Sequence, residues 1–215
     1  MDCCSGLGCE EFFDEKLARR DARHYRRKGI DVTAREIISF VTARGVDRAS
    51  VLEVGGGTGT LQLELLRAGA RHAVNLELSH GYDAVARELA EEAGVADRVE
   101  RRVVDIVERP DEISAADIVV LHRVVCCYPQ PERLVGAAAA HAQRLLVLSF
   151  PRRNALSRLW VWGQNLFLRL RGRDFQSFVH PPETIRAAAV AAGLRGIHEH
   201  RGRIWHVAAF ERPSA

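Results

Sequence analysis

The chain has no apolar run near the roughly 18 residues that cross a bilayer. Its opening Met1-Asp2-Cys3-Cys4 lacks the basic stretch and apolar core of an export signal. A cytoplasmic protein without a transmembrane segment is the expectation. Lysine is almost absent, at Lys16 and Lys28 alone, and every other basic residue is arginine. With 31 basic and 28 acidic residues the formal net charge is only +3, so bulk charge points to no nucleic-acid partner. The five cysteines (Cys3, Cys4, Cys9, Cys126 and Cys127) are odd in number and lack the paired spacing of a disulfide framework. Nor does the Cys3, Cys4, Cys9 cluster match a common zinc finger, which wants four ligands, so no metal site is expected. No repeat, low-complexity linker or Pro/Ser-rich hinge interrupts the 215 residues, which at 47% hydrophobic can bury one sizeable core.

What the chain does contain is an alternation of short β-branched runs with helical stretches, the rhythm of a parallel sheet covered on both faces. The periodicity predicts helices over residues 11–29 and 33–43, then strands over 50–54, 73–77, 99–104, 117–121 and 144–150 separated by helices. Ser79 is placed to cap one of these helices, Gly69 to close another and Pro131 to open a third. Residues 151–182 form an unusually long connection containing an apolar helix, an insertion by length alone. A helix over 183–192 and two runs, 197–200 and 204–210, joined by Arg201-Gly202-Arg203, read as a closing antiparallel hairpin. The expected fold is α/β: a Rossmann-like, doubly wound, mostly parallel seven-stranded sheet. Within one domain, residues 1–46 form a helical cap, 47–150 a cofactor-binding core, 151–182 an inserted lid and 183–215 the terminal helix and hairpin.

The chemistry concentrates at the ends of the strands. Gly55-Gly56-Gly57-Thr58-Gly59 follows the first strand and precedes a helix, a turn that lets backbone approach a nucleotide while helix N–H groups face it. Taken alone the cluster can equally be a tight strand-to-helix turn. The spacing of acids adds to it. Glu77 ends the second strand about twenty residues on, where a carboxylate can accept both ribose hydroxyls. Asp105 ends the third strand on the same edge, where it can accept from an adenine amino group.

Glu53-Val54-Gly55-Gly56-Gly57-Thr58-Gly59 resembles the acid-x-Gly-x-Gly-x-Gly motif of class I S-adenosylmethionine (AdoMet)-dependent methyltransferases, and the likeness extends over residues 47–210. The alternate-residue glycines differ from the Gly-x-Gly-x-x-Gly usual in dehydrogenases. The resemblance implies AdoMet as cofactor, with Glu53 organising its methionine end, Glu77 its ribose and Asp105 its adenine. Gly55, Gly57, Gly59, Leu78, Ile106 and His122 complete the core of the binding set, and Tyr25 joins it from an N-terminal region that closes over the cofactor. Phe12-Phe13-Asp14 and the apolar stretch after the fifth strand are further similar to the magnesium-protoporphyrin O-methyltransferase group, which suggests a substrate class.

His122 and Arg123 follow the fourth strand, where such enzymes place the reaction site. His122 is a candidate base for a phenol or alcohol acceptor, or else a strand-end histidine that only hydrogen-bonds its surroundings. Arg123 can meet an acidic substrate or form an internal ion pair. Tyr128 and His180 lie in loops near the same edge, as structural or catalytic groups. Residues 155–170 read as a lid on an apolar acceptor pocket, with Arg152, Arg153 or Arg158 available to carboxylates, as a helix lying on a membrane surface, or as a core helix. The basic run 19–28 is either phosphate-facing or the solvated face of the cap. The expected activity is methyl transfer from AdoMet to a small, hydrophobic and acidic acceptor, with O-methylation favoured. The rivals are a non-catalytic AdoMet- or partner-binding module and an RNA methyltransferase, although the fourth strand lacks the Asn/Asp-Pro-Pro-aromatic signature of amino-directed nucleic-acid enzymes.

Overall fold

The computed structural model describes residues 7–213. Strands β1 (Ser50–Val54), β2 (His72–Glu77), β3 (Val99–Val103), β4 (Ala116–His122), β5 (Ala142–Pro151), β6 (Arg195–Arg201) and β7 (Trp205–Glu211) make one sheet in the order β3-β2-β1-β4-β5-β7-β6. The first five run parallel, and β7 enters antiparallel between β5 and β6, as the hairpin pattern predicted. Strand order reverses between β1 and β4, the switch point where open α/β sheets form a crevice beyond their carboxyl ends.

Both faces are covered because the central strands are apolar on both sides; Val119, Val120 and Leu121 of β4 are fully buried. One core lies under helices α3 (Val32–Ala43), α4 (Thr60–Arg67) and α5 (Asp83–Glu92), around Ile37, Leu61, Leu65 and Leu89. The other lies under α6 (Pro131–His141) and α8 (Pro182–Ala191), around Leu134, Ile185 and Phe150. The edge strand β6 is mostly polar and exposed, which explains why only its centre looks strand-like in sequence.

The single helix expected over 11–29 is two, α1 (Leu7–Phe12) and α2 (Glu15–Lys28). Asp14 breaks the run by taking an extended conformation and accepting the Leu17 N–H at 2.8 Å as an N-cap. Gly29, at φ 70°, ends α2 as expected. Ser79 caps a short 3-10 turn at residues 80–82 rather than α5 itself. The insertion folds as α7 (Ala155–Leu170), and no described helix is long and apolar enough to cross a membrane. Cys3 and Cys4 lie outside the described residues. Cys9 packs with Leu168 and Phe175, tying α1 to α7 and to the loop behind it.

The N-terminal helices are clamped over the carboxyl edge. The Ser79 hydroxyl donates to the Phe13 carbonyl at 2.6 Å, and a Cβ on Gly81 would stand 2.6 Å from that same carbonyl oxygen. Backbone cannot swing aside as a side-chain tip can, so Gly81→Ala is expected to lift the cap. Limited trypsin digestion should then cut faster at Lys16 and Arg19 than in wild type, and unchanged cleavage would contradict this docking.

Candidate functional site

The turn after β1 is shaped from below by charged groups brought from two neighbouring strands. Gly55 and Gly57 sit at φ 63° and 54°, conformations that disfavour any side chain with a Cβ. The Gly57 N–H donates to Glu77 at 2.8 Å, while its carbonyl accepts from Arg101 at 2.8 Å. Arg101 also donates to Asn75 and is ion-paired with Asp83 at 2.6 Å. Glu77 further accepts the N–H groups of Leu78 (2.7 Å) and Ser79 (3.3 Å), which fixes its carboxylate at the crevice rim.

Glu53 lies behind the turn, buried, and accepts the Gln62 N–H at 3.2 Å near the start of α4. Burial pushes its carboxyl up to about 8, against the hydrogen bond from Gln62 and the charge of Arg101, and with the charge of Glu77 acting in the same direction as burial. Gly59, at φ 74°, is the N-cap residue of α4 and likewise sits behind the crevice rather than in its wall.

A cavity of about 1070 Å³ opens in front of the turn. Of the sequence-derived candidates, Tyr25, Gly55, Gly57, Glu77, Leu78, Asp105, Ile106, His122 and Arg123 line it, whereas Glu53 and Gly59 do not. Two groups that sequence reasoning missed also line it, Thr58 and Thr60, which follow and interleave with the glycines. Asp105 accepts from the Val107 N–H at 2.8 Å and from the Tyr128 hydroxyl at 3.3 Å. His180 reaches the Tyr128 carbonyl at 2.9 Å and so supports that loop. The Tyr25 hydroxyl is committed to Glu64 (2.5 Å) and Arg67 (2.8 Å), and its phenol is pushed up to about 12, chiefly by burial and then by Glu64. What Tyr25 offers the cavity is therefore its ring.

His122 sits opposite Ser149 in the β4–β5 register. Ser149 Oγ accepts the Arg123 N–H at 3.0 Å and lies 3.0 Å from His122 Nδ1; because the ionised Asp31 can only accept, the neutral ring carries its hydrogen on Nε2 and Nδ1 accepts from the Ser149 hydroxyl. Nε2 then donates to Asp31, 3.3 Å away. Asp31 is the N-cap of α3 and accepts the Thr33 and Ala34 N–H groups through its other oxygen. Burial works to raise its carboxyl, but the hydrogen bond and charge of His122 with the charge of Arg123 hold it well below the usual range. Burial lowers the His122 imidazole, partly against the pull of Asp31. Arg123, at φ 61°, pairs with the same Asp31 oxygen at 3.2 Å and lies over the Trp205 ring at 4.8 Å. Here the internal ion pair is the arrangement that the structure contains.

The wall opposite the turn is apolar. Phe12 stacks on Phe175 with centroids 4.3 Å apart, and Phe13 meets the same ring edge-on. Trp160, Val161, Gln164, Phe167 and Leu168 of α7 continue this wall. The arginines that reach the cavity are Arg20, Arg23, Arg123, Arg171 and Arg173, together with Lys16, rather than Arg152, Arg153 or Arg158. Within the basic run, Arg19 and Arg26 pair with Glu88 and Glu92 of α5 and hold the cap to the core.

The donor set fits an adenosyl group: a cradle of glycine backbone, one carboxylate at the rim for hydroxyls, a second on the adjacent strand end, and the apolar Leu78 and Ile106 beside them.

A family model described as "Methyltransferase domain" matches residues 22–199. No curated protein matches the chain. Among solved structures, magnesium protoporphyrin IX methyltransferase from Synechocystis PCC 6803 with bound SAH is similar at TM-score 0.74 and 18% identity, covering 95% of this chain and 97% of that one. An O-methyltransferase family protein from Burkholderia thailandensis is similar at TM-score 0.70 and 21% identity, over 94% of this chain and 64% of that one. An O-methyltransferase family 2 protein from Planctomyces limnophilus, in complex with apigenin, follows at TM-score 0.62 and 20% identity, over 86% and 63%. At these identities the likeness establishes the fold.

Because the folded state binds the Glu53 proton more tightly than the unfolded chain does, stability from this group is present below about pH 4.5 and is lost as pH rises towards 8. Glu53→Gln keeps an acceptor for Gln62 without the ionisation. It is expected to be more stable than wild type at pH 8 by on the order of 1–3 kcal/mol, with the gap closing near pH 4.5. Urea denaturation at both pH values measures this, and a gap that widens on acidification would contradict it.

Proposed function

Since the chain belongs to the methyltransferase-domain family and is an enzyme that takes AdoMet as its cofactor, we propose that it methylates an oxygen of a large, hydrophobic, acidic small molecule, and that the acceptor atom is a carboxylate oxygen. The observation that carries this reading is the cavity, whose glycine-turn side has the polar groups an adenosyl moiety needs. Its far side offers aromatic rings with Lys16, Arg20, Arg23, Arg171 and Arg173 nearby. At about 1070 Å³ it lies just above the roughly 300–1,000 Å³ of ordinary small-ligand sites, which leaves space for a sizeable acceptor.

The sulfonium supplies a good leaving group and an electrophilic methyl, so the protein's work is to bind, orient and exclude water. Glu77 and Asp105 hold the nucleoside from two strand ends, and the backbone of Gly55 and Gly57 permits close approach. The Phe12, Phe13 and Phe175 cluster keeps water from the acceptor side, and the arginines orient its carboxylates through charge-assisted hydrogen bonds. His122 has both ring nitrogens engaged, by Ser149 and Asp31, so it has no lone pair free to take a proton while the cap is docked. A carboxylate needs no base, being ionised at neutral pH. His122 then positions the cap through Asp31 and forms the floor of the reaction site.

Calorimetric titration with S-adenosylhomocysteine tests the cofactor side. Glu77→Ala and Asp105→Ala are each expected to weaken binding about 10- to 100-fold, as losing a hydrogen bond to a charged group does. Binding indifferent to both carboxylates would overturn the site. For the acceptor side, hydrophobic carboxylates are screened for S-adenosylhomocysteine release. His122→Gln is expected to keep turnover within about tenfold of wild type. A loss of about 100-fold or more with cofactor binding intact would instead identify His122 as a general base acting on a hydroxyl.

A further inference from the structure

Helix α7 leaves most of its large side chains in solvent. Leu159, Trp162, Leu166 and Leu170 are 41–78% exposed and recur at helical spacing on one face, while Ser157, Val161 and Leu168 on the other are buried. Trp160 and Phe167 are also exposed and form the border between this outer face and the cavity. Single exposed apolar residues are ordinary, but a continuous stripe over residues 159–170 is not.

The charges on the helix itself are of one sign. Arg152, Arg153 and Arg158 stand at one end and Arg169, Arg171 and Arg173 at the other, and the first carboxylate after Arg152 is the exposed Asp174 beyond the helix. None of the six is ion-paired with a described residue; Arg152 and Arg173 donate to backbone carbonyls and Arg171 lies over the Phe167 ring at 4.7 Å. A second copy pressed on this face would set the arginines of one helix against those of the other, with no carboxylate on either helix. A surface with apolar depth under a layer of negative charge complements it at both levels.

We propose that this face of α7 docks the protein on an anionic lipid surface, with the leucine and tryptophan stripe entering the boundary between headgroups and acyl chains and the exposed Arg153, Arg158 and Arg169, which lie outside the cavity, meeting lipid phosphates. Interfacial helices with an apolar face and arginine flanks bind in this way, and tryptophan favours that depth. The helix is not a membrane span. Because Trp160 and Phe167 belong to both the docking face and the cavity wall, the cavity border would lie against the bilayer. An apolar acceptor dissolved there could then enter without crossing water. That last step rests on the acceptor reading above, whereas the docking does not.

The test is sedimentation of the full chain with vesicles of phosphatidylcholine alone and with vesicles in which part of it is replaced by phosphatidylglycerol, with tryptophan emission followed in parallel. Binding is expected on the phosphatidylglycerol vesicles, with a blue shift of emission and a decline as salt is raised. Arg158→Glu combined with Arg169→Glu should weaken partitioning at least about tenfold, since each arginine at such a surface contributes about fivefold. Leu159→Gln combined with Trp162→Gln should weaken it comparably. S-adenosylhomocysteine binding should be unchanged in both variants, which reports an intact fold and separates this proposal from failure of the cofactor site. No sedimentation with phosphatidylglycerol vesicles, or binding indifferent to both variants, would overturn the proposal. So would a dimer in solution that these variants disperse, which would give the face to a second copy.

Discussion

The Gly57 peptide is gripped from both sides, its N–H by Glu77 at the end of β2 and its carbonyl by Arg101 of β3. These bonds join three consecutive parallel strands at the one place where the backbone has no side chains to define it. Arg101 is only 14% exposed, so its charge would be costly without Asp83, Asn75 and the Gly57 carbonyl to receive it. The turn that must admit a nucleotide is thus built by neighbours as much as by its own glycines. The raised Glu53 carboxyl follows from the same crowding, with one acid buried directly behind a turn whose rim already holds another.

A second constraint ties the reaction side to the cap. Asp31 starts α3, and its single carboxylate satisfies two helix N–H groups, His122 and Arg123. Two segments distant in sequence, the start of α3 and the end of β4, therefore share one negative charge in the cavity wall. The cap is held at its other end by Ser79 and Phe13, so the N-terminal segment is fastened both beyond the end of β2 and at the end of β4.

Much of this was legible in the residues. The alternate-residue glycines, the acids at two strand ends, the hairpin and the inserted helix all follow from local patterns, and the fold was read from them down to the position of α7. What escaped depends on contacts that no local pattern carries. Arg101 looks like one of many arginines in a polar strand until the register places it under Gly57. Asp31 stands outside the helix expected over 33–43, and only the fold shows that it caps this helix with one oxygen and faces His122 with the other. Ser149 of β5 stands opposite His122, a partner that aligning the strand starts would miss by one residue, because the register shifts between Ala116 and Ile118. Under the lid reading, Arg152, Arg153 or Arg158 was to meet the acceptor's carboxylates. The helix instead turns Arg158 outward, and Arg171 and Arg173 curl back past its end to reach the wall. The single helix expected before Gly29 failed at Asp14, whose side chain prefers capping to continuing.

The central claim is that the glycine turn, the ends of β2 and β3 and the docked cap form one nucleoside site. Hydrogen–deuterium exchange of the full chain with and without S-adenosylhomocysteine tests it most directly. The account predicts slowed exchange together in residues 55–60, 77–79 and 104–107 and in the cap around residues 12–31, with the edge strand β6 unaffected. Protection confined to α7 or the hairpin, or a cap that exchanges no more slowly with the ligand bound, would contradict it.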